Sequence, residues 1–110
     1  MIEFEDFERV QMATGTIVEA SVNNKARVPA FRLRIDFGEQ WGEKQSSAQL
    51  TRNYTAAELV GRQVVAVMNF PTKRIAGVKS EVLVLGAVSD EHGVVLLQPD
   101  FAVENGAPIG

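Results

Sequence analysis

A short basic segment is the part of the sequence best suited to bind an anion. It reads NFPTKRIAGVKSEVLVLG from Asn69 to Gly86, and Lys73, Arg74 and Lys79 place three cations within seven residues. Lysine and arginine side chains are the usual contacts to phosphate oxygens in nucleic-acid-binding proteins. Because the segment runs directly into apolar residues typical of a strand, we predict a basic loop anchored on a sheet.

A second group of hydrogen-bonding side chains lies earlier, at Lys44, Gln45, Ser46 and Ser47. These residues offer donors and acceptors of the type that contact phosphates, riboses and base edges. A solvated strand of a small barrel is just as polar, so the pattern leaves both interpretations open. Trp41 and Tyr54 could stack on nucleic-acid bases, although partial burial in the core is the commoner role of such aromatics.

Residue types that carry catalysis or hold metals are scarce. His92 is the only histidine, it stands beside Asp90 and Glu91 in a polar stretch, and the chain has no cysteine. Zinc sites need clustered histidine and cysteine ligands. No glycine spacing matches a phosphate-binding loop or a dinucleotide fingerprint. We therefore predict a binding protein with no catalytic residues, no metal and no cofactor.

The charges are segregated along the chain, whose formal net charge is −3. Ten of the eleven cations but only four of the fourteen acids lie between Lys25 and Lys79, so this central block carries +6 and the flanks together carry −9. Segregation of this kind indicates a polyanionic partner, although a solvated charged face would look the same.

Length and hydropathy limit the class of protein. A chain of 110 residues is the size of one domain, so we expect a single domain over 1–110. The apolar runs are too short to span a bilayer, and the acidic N-terminal sequence does not resemble a signal peptide. These features predict a cytoplasmic protein without membrane insertion.

The hydrophobic pattern predicts short strands and one helix. Phe31 to Phe37 alternates apolar and charged residues, as a half-buried strand does. Thr55 and Glu58 form a capping box that begins a two-turn helix, which ends at Gly61. Further strands are predicted at 15–22, 43–50, 63–70, 81–88 and 93–98, with a hairpin connection over 89–93.

This order of elements is typical of an OB-fold. That fold is an all-β, five-stranded Greek-key barrel, and here its short helix would lie between strands 3 and 4, with short terminal extensions. Oligonucleotides bind the face formed by strands 2 and 3. Arg32, Arg34 and Lys44 would lie on or near that face.

Some of the predicted strands are apolar on both faces, notably 64–68, 82–85 and 94–97. A lone barrel wets the outer face of its strands, so something must cover these residues. The terminal segments supply part of the cover, and a homodimer is the simplest way to supply the remainder.

Long segments of the chain resemble one known family. KQSSAQL from Lys44, YTAAELVGRQVVAVMNFP from Tyr54 and RIAGVKSEVLVLG from Arg74 are similar to segments of CsaA-like proteins. These belong to the EMAP-II-like tRNA-binding domains, also found at the C-terminus of methionyl-tRNA synthetases. GTIVEA from Gly15 and VLLQPD from Val95 extend the resemblance to nearly the whole chain.

The resemblance implies an OB-fold homodimer that recognises tRNA by the three-dimensional structure of the tRNA. CsaA-like members are also described as protein-secretion chaperones, so a chaperone for unfolded or precursor polypeptides is the alternative function. Matched motif by motif, the binding surface would take in Lys44, Gln45, Ser46, Ser47, Asn69, Lys73, Arg74, Ser80 and Glu81.

Two departures from the family pattern bear on these expectations. Gln11, Met12 and Ala13 stand where many relatives have Asp-x-Arg, and the lost arginine lowers the RNA affinity that we expect. Thr72 stands where a second proline often follows Pro71. The first change leaves the predicted fold and dimer untouched.

Overall fold

The computed structural model describes residues 1–110, most of them in short strands. The helices and strands, in chain order, are α1 (Phe4–Glu8), β1 (Met12–Val22), β2 (Phe31–Asp36), α2 (Gly38–Trp41), β3 (Glu43–Ala48), α3 (Ala56–Leu59), β4 (Gln63–Val67), β5 (Lys73–Ile75), β6 (Val78–Ser80), β7 (Leu83–Val84), β8 (Gly86–Ser89) and β9 (Gly93–Leu96).

Five antiparallel strands form the main sheet in the order β3-β2-β1-β4-β7. The predicted alternation in β2 is confirmed, since Phe31, Leu33 and Ile35 are buried while Arg32 is exposed. A bulge in β1 between Ile17 and Glu19 interrupts the register with β2, and bulges of this kind bend a strand. The sheet curls into a nearly closed barrel, which confirms the predicted all-β OB-fold.

The edge strand β3 is joined to residues 80–82, and this contact closes the barrel. The Glu81 N–H donates to the Gln45 carbonyl over 2.9 Å, and the Gln45 N–H donates to the Glu81 carboxylate over 3.1 Å. The Ser47 N–H donates to Ser80 Oγ over 3.3 Å. Side chains thus replace part of a strand ladder, because β7 is only two residues long.

Helix α3 closes the core between β3 and β4, as the sequence predicts. The Glu58 N–H donates to Thr55 Oγ1 over 3.3 Å, and the Thr55 N–H donates to Glu58 Oε1 over 3.1 Å, which confirms the capping box. Leu59 is fully buried, together with Ile17 and Phe37. The helix is nevertheless a single turn, shorter than predicted, because Val60 already adopts extended backbone angles.

The C-terminal segment covers one part of β1. The Thr14 N–H donates to the Ala107 carbonyl over 3.1 Å, and the Ile109 N–H donates to the Met12 carbonyl over 3.1 Å. The buried Thr14 hydroxyl donates to the Glu104 carbonyl over 2.9 Å. The C-terminal segment therefore covers part of β1, which is not one of the strands predicted to be apolar on both faces.

The single strand predicted over 81–88 is wrong. The chain changes partner at Leu85, whose N–H donates to Val65 in the barrel while its carbonyl accepts from Leu97. At Gly86 the backbone approaches β9 so closely that a Cβ would lie 2.6 Å from Val94 Cγ1. The result is two short strands, β7 in the barrel and β8 in a separate hairpin with β9.

The basic segment predicted as a loop is a hairpin, β5–β6. Its two-residue turn consists of Ala76 and Gly77, with φ angles of 48° and 83°. Positive φ at both turn positions matches the twist of a hairpin, but it is costly for alanine. The Asn23 amide donates to the Ala76 carbonyl over 3.3 Å and so ties this turn to the β1–β2 loop.

Glu81→Ala should destabilise the protein by about 1–3 kcal/mol, because the partly buried Gln45 N–H loses its acceptor. Urea denaturation measures this change. Glu81→Gln keeps an acceptor oxygen and should recover most of the loss. If the two variants were equally destabilised, the carboxylate contact would not be what closes the barrel.

Ala76→Asn should stabilise the protein by about 1 kcal/mol, because asparagine tolerates the left-handed backbone that the turn requires. Ala76→Val should lower stability at the same position, since a branched side chain fits this conformation poorly. Thermal unfolding of the two variants checks the contrast. A shift of both melting temperatures in the same direction would contradict the assigned turn.

Candidate nucleic-acid interface

The polar residues of β3 point to two opposite faces of the strand. In the β2–β3 register Arg32 pairs with Ser47 and Arg34 with Gln45, so these four side chains share the outer face. Ser46 pairs with the buried Leu33 on the inner face. The structure therefore brings together Arg32, Arg34, Gln45 and Ser47 as one polar surface.

Ser46 and Lys44 lie on the other side of β3 from that surface. Ser46 is 1% exposed, and its hydroxyl donates to the Val82 carbonyl over 3.0 Å. The predicted contact by Ser46 is corrected accordingly, because its side chain belongs to the barrel interior. Lys44 pairs with the buried Ile35, and its partly exposed ammonium lies 3.9 Å from Glu81 Oε2.

The arginines of β2 are already paired with acids. Arg34 Nη1 lies 2.7 Å from Glu43 Oε1, and its Nη2 lies 3.5 Å from Glu19. The hydrogen bond and charge of Glu43, with a smaller contribution from Glu19, raise the pKa of Arg34. Arg32 shares the same Glu19 at 3.7 Å. These acids offset much of the positive charge on the strand 2–3 face.

Three residues matched through the resemblance have structural partners in the fold. Asn69 joins β4 to the N-terminal segment: its Oδ1 accepts from the Gln11 N–H at 3.0 Å and its Nδ2 donates to the Arg9 carbonyl at 2.7 Å. Ser80 and Glu81 accept the β3 N–H groups described above. They position the hairpin that follows β4.

The β5–β6 hairpin carries three cations that make no salt bridge, Lys73, Arg74 and Lys79. Arg74 and Lys79 are directly opposite in its register and therefore project from the same face. Both are exposed, and neither has a carboxylate within 4.0 Å. Like charges placed directly opposite destabilise a strand pair. An external anion would remove that repulsion.

Lys73 lies on the opposite face of the hairpin, together with Ile75. Both residues line a cleft of about 490 Å³ whose apolar wall includes Phe70, Val82 and Leu83. Phe70 and Leu83 each expose about half of their surface. The hairpin thus presents a purely cationic face on one side and borders an apolar cleft on the other.

The aromatic residues expected as stacking platforms have other roles. The Tyr54 hydroxyl accepts from the Leu96 N–H over 3.0 Å, and the Arg62 guanidinium lies 5.1 Å from the centre of the Tyr54 ring. Trp41 is partly buried against the core. The exposed ring beside the hairpin belongs instead to Phe70, near the start of the basic segment.

Other residues considered in the sequence lie outside this surface. Ala13, at the position of the missing arginine, is 1% exposed and bridges to Pro108, so it occupies an interior position here. His92 is exposed in the β8–β9 turn, 3.7 Å from the Glu91 carboxylate. No helix of this chain has the length and apolar character that a membrane crossing requires.

Sequence reasoning missed some cations of this surface. Lys79 was part of the basic segment but was not among the residues matched through the resemblance. Lys25 and Arg27, in the β1–β2 loop, also have no carboxylate within 4.0 Å. Their membership of the +6 central block was the available signal, but only the fold brings this loop to the hairpin.

Comparison with known proteins agrees with the fold. Residues 12–108 match the family described as "Putative tRNA binding domain". Among solved structures, the chaperone CsaA from Bacillus anthracis str. Ames is 54% identical with a TM-score of 0.94, over 100% of this chain and 99% of that chain. The CsaA chaperone protein from Picrophilus torridus is 46% identical with a TM-score of 0.94, over 100% of both chains.

A longer relative contains a similar sequence as one part. The chain is 38% identical over 110 residues to a methionine–tRNA ligase of Methanothrix thermoacetophila, which covers 99% of this chain and 16% of the ligase. The chain therefore spans only a small fraction of the length of the curated relatives that it matches. The match over residues 12–108 and the two CsaA structures establish the family: the chain belongs to the tRNA binding domain family and is a CsaA-like member of it.

Proposed function

We propose that this chain binds tRNA or tRNA-like structured RNA, without catalysis, as a single cytoplasmic domain over residues 1–110. The observation that carries the proposal is the opposed pair Arg74 and Lys79, exposed on one hairpin face with no acid within 4.0 Å. A phosphate backbone supplies closely spaced negative charges that would bridge such a pair.

The remaining residues of the expected surface take different roles in this proposal. Arg74 and Lys79 contact phosphates, while Gln45 and Ser47 offer neutral hydrogen bonds beside them. Arg34 contributes less, because Glu43 at 2.7 Å and Glu19 at 3.5 Å balance its charge, whereas Arg32 has only the longer contact to Glu19 at 3.7 Å. The residues that hold the hairpin and its neighbours in place are Lys44, Ser46, Asn69, Ser80 and Glu81.

The relatives support an RNA ligand but name more than one activity. The description of the matched family names tRNA binding, and the relatives that are longer than this chain are methionine–tRNA ligases. The two similar solved structures are named as chaperones. We infer RNA as the main ligand because the unpaired cations lie on the exposed β5–β6 hairpin. There they are accessible to the phosphate backbone of a large polyanion, whereas a small molecule would need an enclosed pocket.

A second candidate function is the binding of unfolded or precursor polypeptides, as a secretion chaperone would. The observation in its favour is the cleft of about 490 Å³, where Phe70 and Ile75 expose apolar surface. Extended peptides with apolar side chains suit such a cleft. Because the cleft and the Arg74–Lys79 face lie on opposite sides of the hairpin, the two ligands need not compete.

We also propose that the chain forms a homodimer. Leu83, Val95 and Leu97 remain 50%, 39% and 44% exposed on β7, β9 and the residue after β9. These are the strands predicted to be apolar on both faces, and no other segment of the chain covers them. Burial against a second copy would remove this surface from water.

Arg74→Ala and Lys79→Ala should each weaken tRNA binding, and each should flatten the plot of log K against log salt by about one unit. Each lost phosphate contact leaves its condensed counterions in place, which is the cause of the change in slope. Fluorescence anisotropy with full-length tRNA across a salt series measures both quantities.

Two variants serve as controls for this experiment. Arg9→Ala changes the net charge equally, but Arg9 is the C-cap of α1 and pairs with Asp6 of that helix, so the slope should stay close to that of the wild type. Ser47→Ala removes a neutral hydroxyl and should also leave the slope unchanged. If Arg9→Ala flattened the plot as much as Lys79→Ala, the effect would reflect net charge and the proposed contact would be refuted.

Sedimentation equilibrium at low micromolar concentration should give about twice the 12.0 kDa chain mass. Leu83→Asp should reduce the mass to that of one chain, because the interface would bury an unpaired carboxylate. Since Leu83 is half exposed in the single chain, the far-ultraviolet circular dichroism should not change. A wild-type protein that sediments as a monomer would refute the dimer.

A further inference from the structure

A polar cleft lies between the β1–β2 loop and the tip of the β5–β6 hairpin. Its volume is about 280 Å³, and its lining includes Ser21, Asn23, Lys25, Arg32 and Gly77. Ser21 and Arg32 are directly opposite in the β1–β2 register, so both side chains leave the sheet on the same face. The cleft therefore extends the outer surface of β2 towards the hairpin.

Asn23 holds the two walls of this cleft together. Its Nδ2 donates to the Ala76 carbonyl over 3.3 Å, and its Oδ1 accepts from the Lys25 N–H at 3.1 Å. The aliphatic stem of Lys25 lies over the hairpin tip, with its Cδ 3.7 Å from where a Cβ on Gly77 would be. These contacts place the Lys25 side chain beside the hairpin tip, where it remains exposed.

Positive charge surrounds this cleft without a matching number of acids. Lys25 has no carboxylate within 4.0 Å, and Arg32 has only Glu19, at 3.7 Å, which Arg34 shares. At the tip, Arg74 Nη1 donates to the Gly77 carbonyl over 3.3 Å. A line of cations thus runs from Arg32 through Lys25 to the Arg74–Lys79 face.

We propose that this cleft holds a second backbone phosphate of the bound RNA, with Lys25 and Arg32 as its cationic contacts. The Ser21 hydroxyl would supply a neutral donor. This inference rests on the proposed function and names where the RNA goes beyond the hairpin: across the tip at Gly77 and onto the β1–β2 loop.

The chemistry of the cleft favours a phosphodiester within a longer chain over a free anion. The cleft is open, and its cations are exposed or half-exposed, so a single small anion would be held weakly in competition with water and salt. A phosphodiester already anchored at Arg74 and Lys79 would arrive at high effective concentration.

The test compares Lys25→Ala, Lys25→Arg and the wild type by anisotropy with full-length tRNA over a salt series. Lys25→Ala should bind several-fold more weakly and lower the slope of log K against log salt by about one unit. Lys25→Arg retains the charge and should retain both affinity and slope. Lys25 is an exposed loop residue, and circular dichroism confirms that each variant is folded.

The outcomes separate this inference from the proposed function. If Lys25→Ala binds like the wild type while Lys79→Ala binds more weakly, the second phosphate contact is refuted and the proposed function stands. If the wild type itself does not bind tRNA, both fail. A titration with inorganic phosphate followed by NMR gives a further check. If the amide signals of Asn23, Lys25 and Gly77 shifted and the shifts reached saturation at millimolar phosphate, the cleft would be a small-anion site and the inference would be overturned.

Discussion

The whole arrangement depends on how the free edge of β3 is satisfied. An edge strand leaves N–H and C=O groups that must find partners, and here residues 80–82 supply them through the Glu81 backbone and two side-chain acceptors. The same three residues connect the β5–β6 hairpin to β7. Closing the barrel therefore fixes the position of the hairpin that carries the unpaired cations. Fold stability and the geometry of the surface are set by one group of hydrogen bonds.

Pairing, rather than the number of cations, decides which part of the surface attracts a polyanion. The strand 2–3 face holds Arg32 and Arg34, but Glu19 and Glu43 lie against them. The hairpin and the β1–β2 loop carry cations without acids within 4.0 Å. An OB-fold typically binds oligonucleotides on the strand 2–3 face and through its loops. In this chain the charge distribution favours the loops over the strand 2–3 face as the place of the proposed RNA contact.

Much of the fold could be predicted from the sequence, because local patterns express it directly: the alternation from Phe31 and the capping box at Thr55 both correspond to observed elements. The β5–β6 hairpin was missed because its turn is Ala76-Gly77 rather than the Asn-Gly that normally signals such a turn. Within the site, the separation of Ser46 from Ser47 depends on the inward or outward sense of β3. A uniformly polar strand does not encode that sense, and only pairing with β2 fixes it.

The most direct test of the central claim, that RNA lies along the unpaired cations of the hairpin and the β1–β2 loop, is hydrogen–deuterium exchange of the wild-type protein with and without saturating tRNA. The account predicts slower exchange in peptides that cover residues 73–80 and 23–27, with little change in the β8–β9 hairpin. Protection centred on the apolar cleft at Phe70 and Leu83, or on β8–β9, with residues 73–80 and 23–27 unaffected, would contradict it.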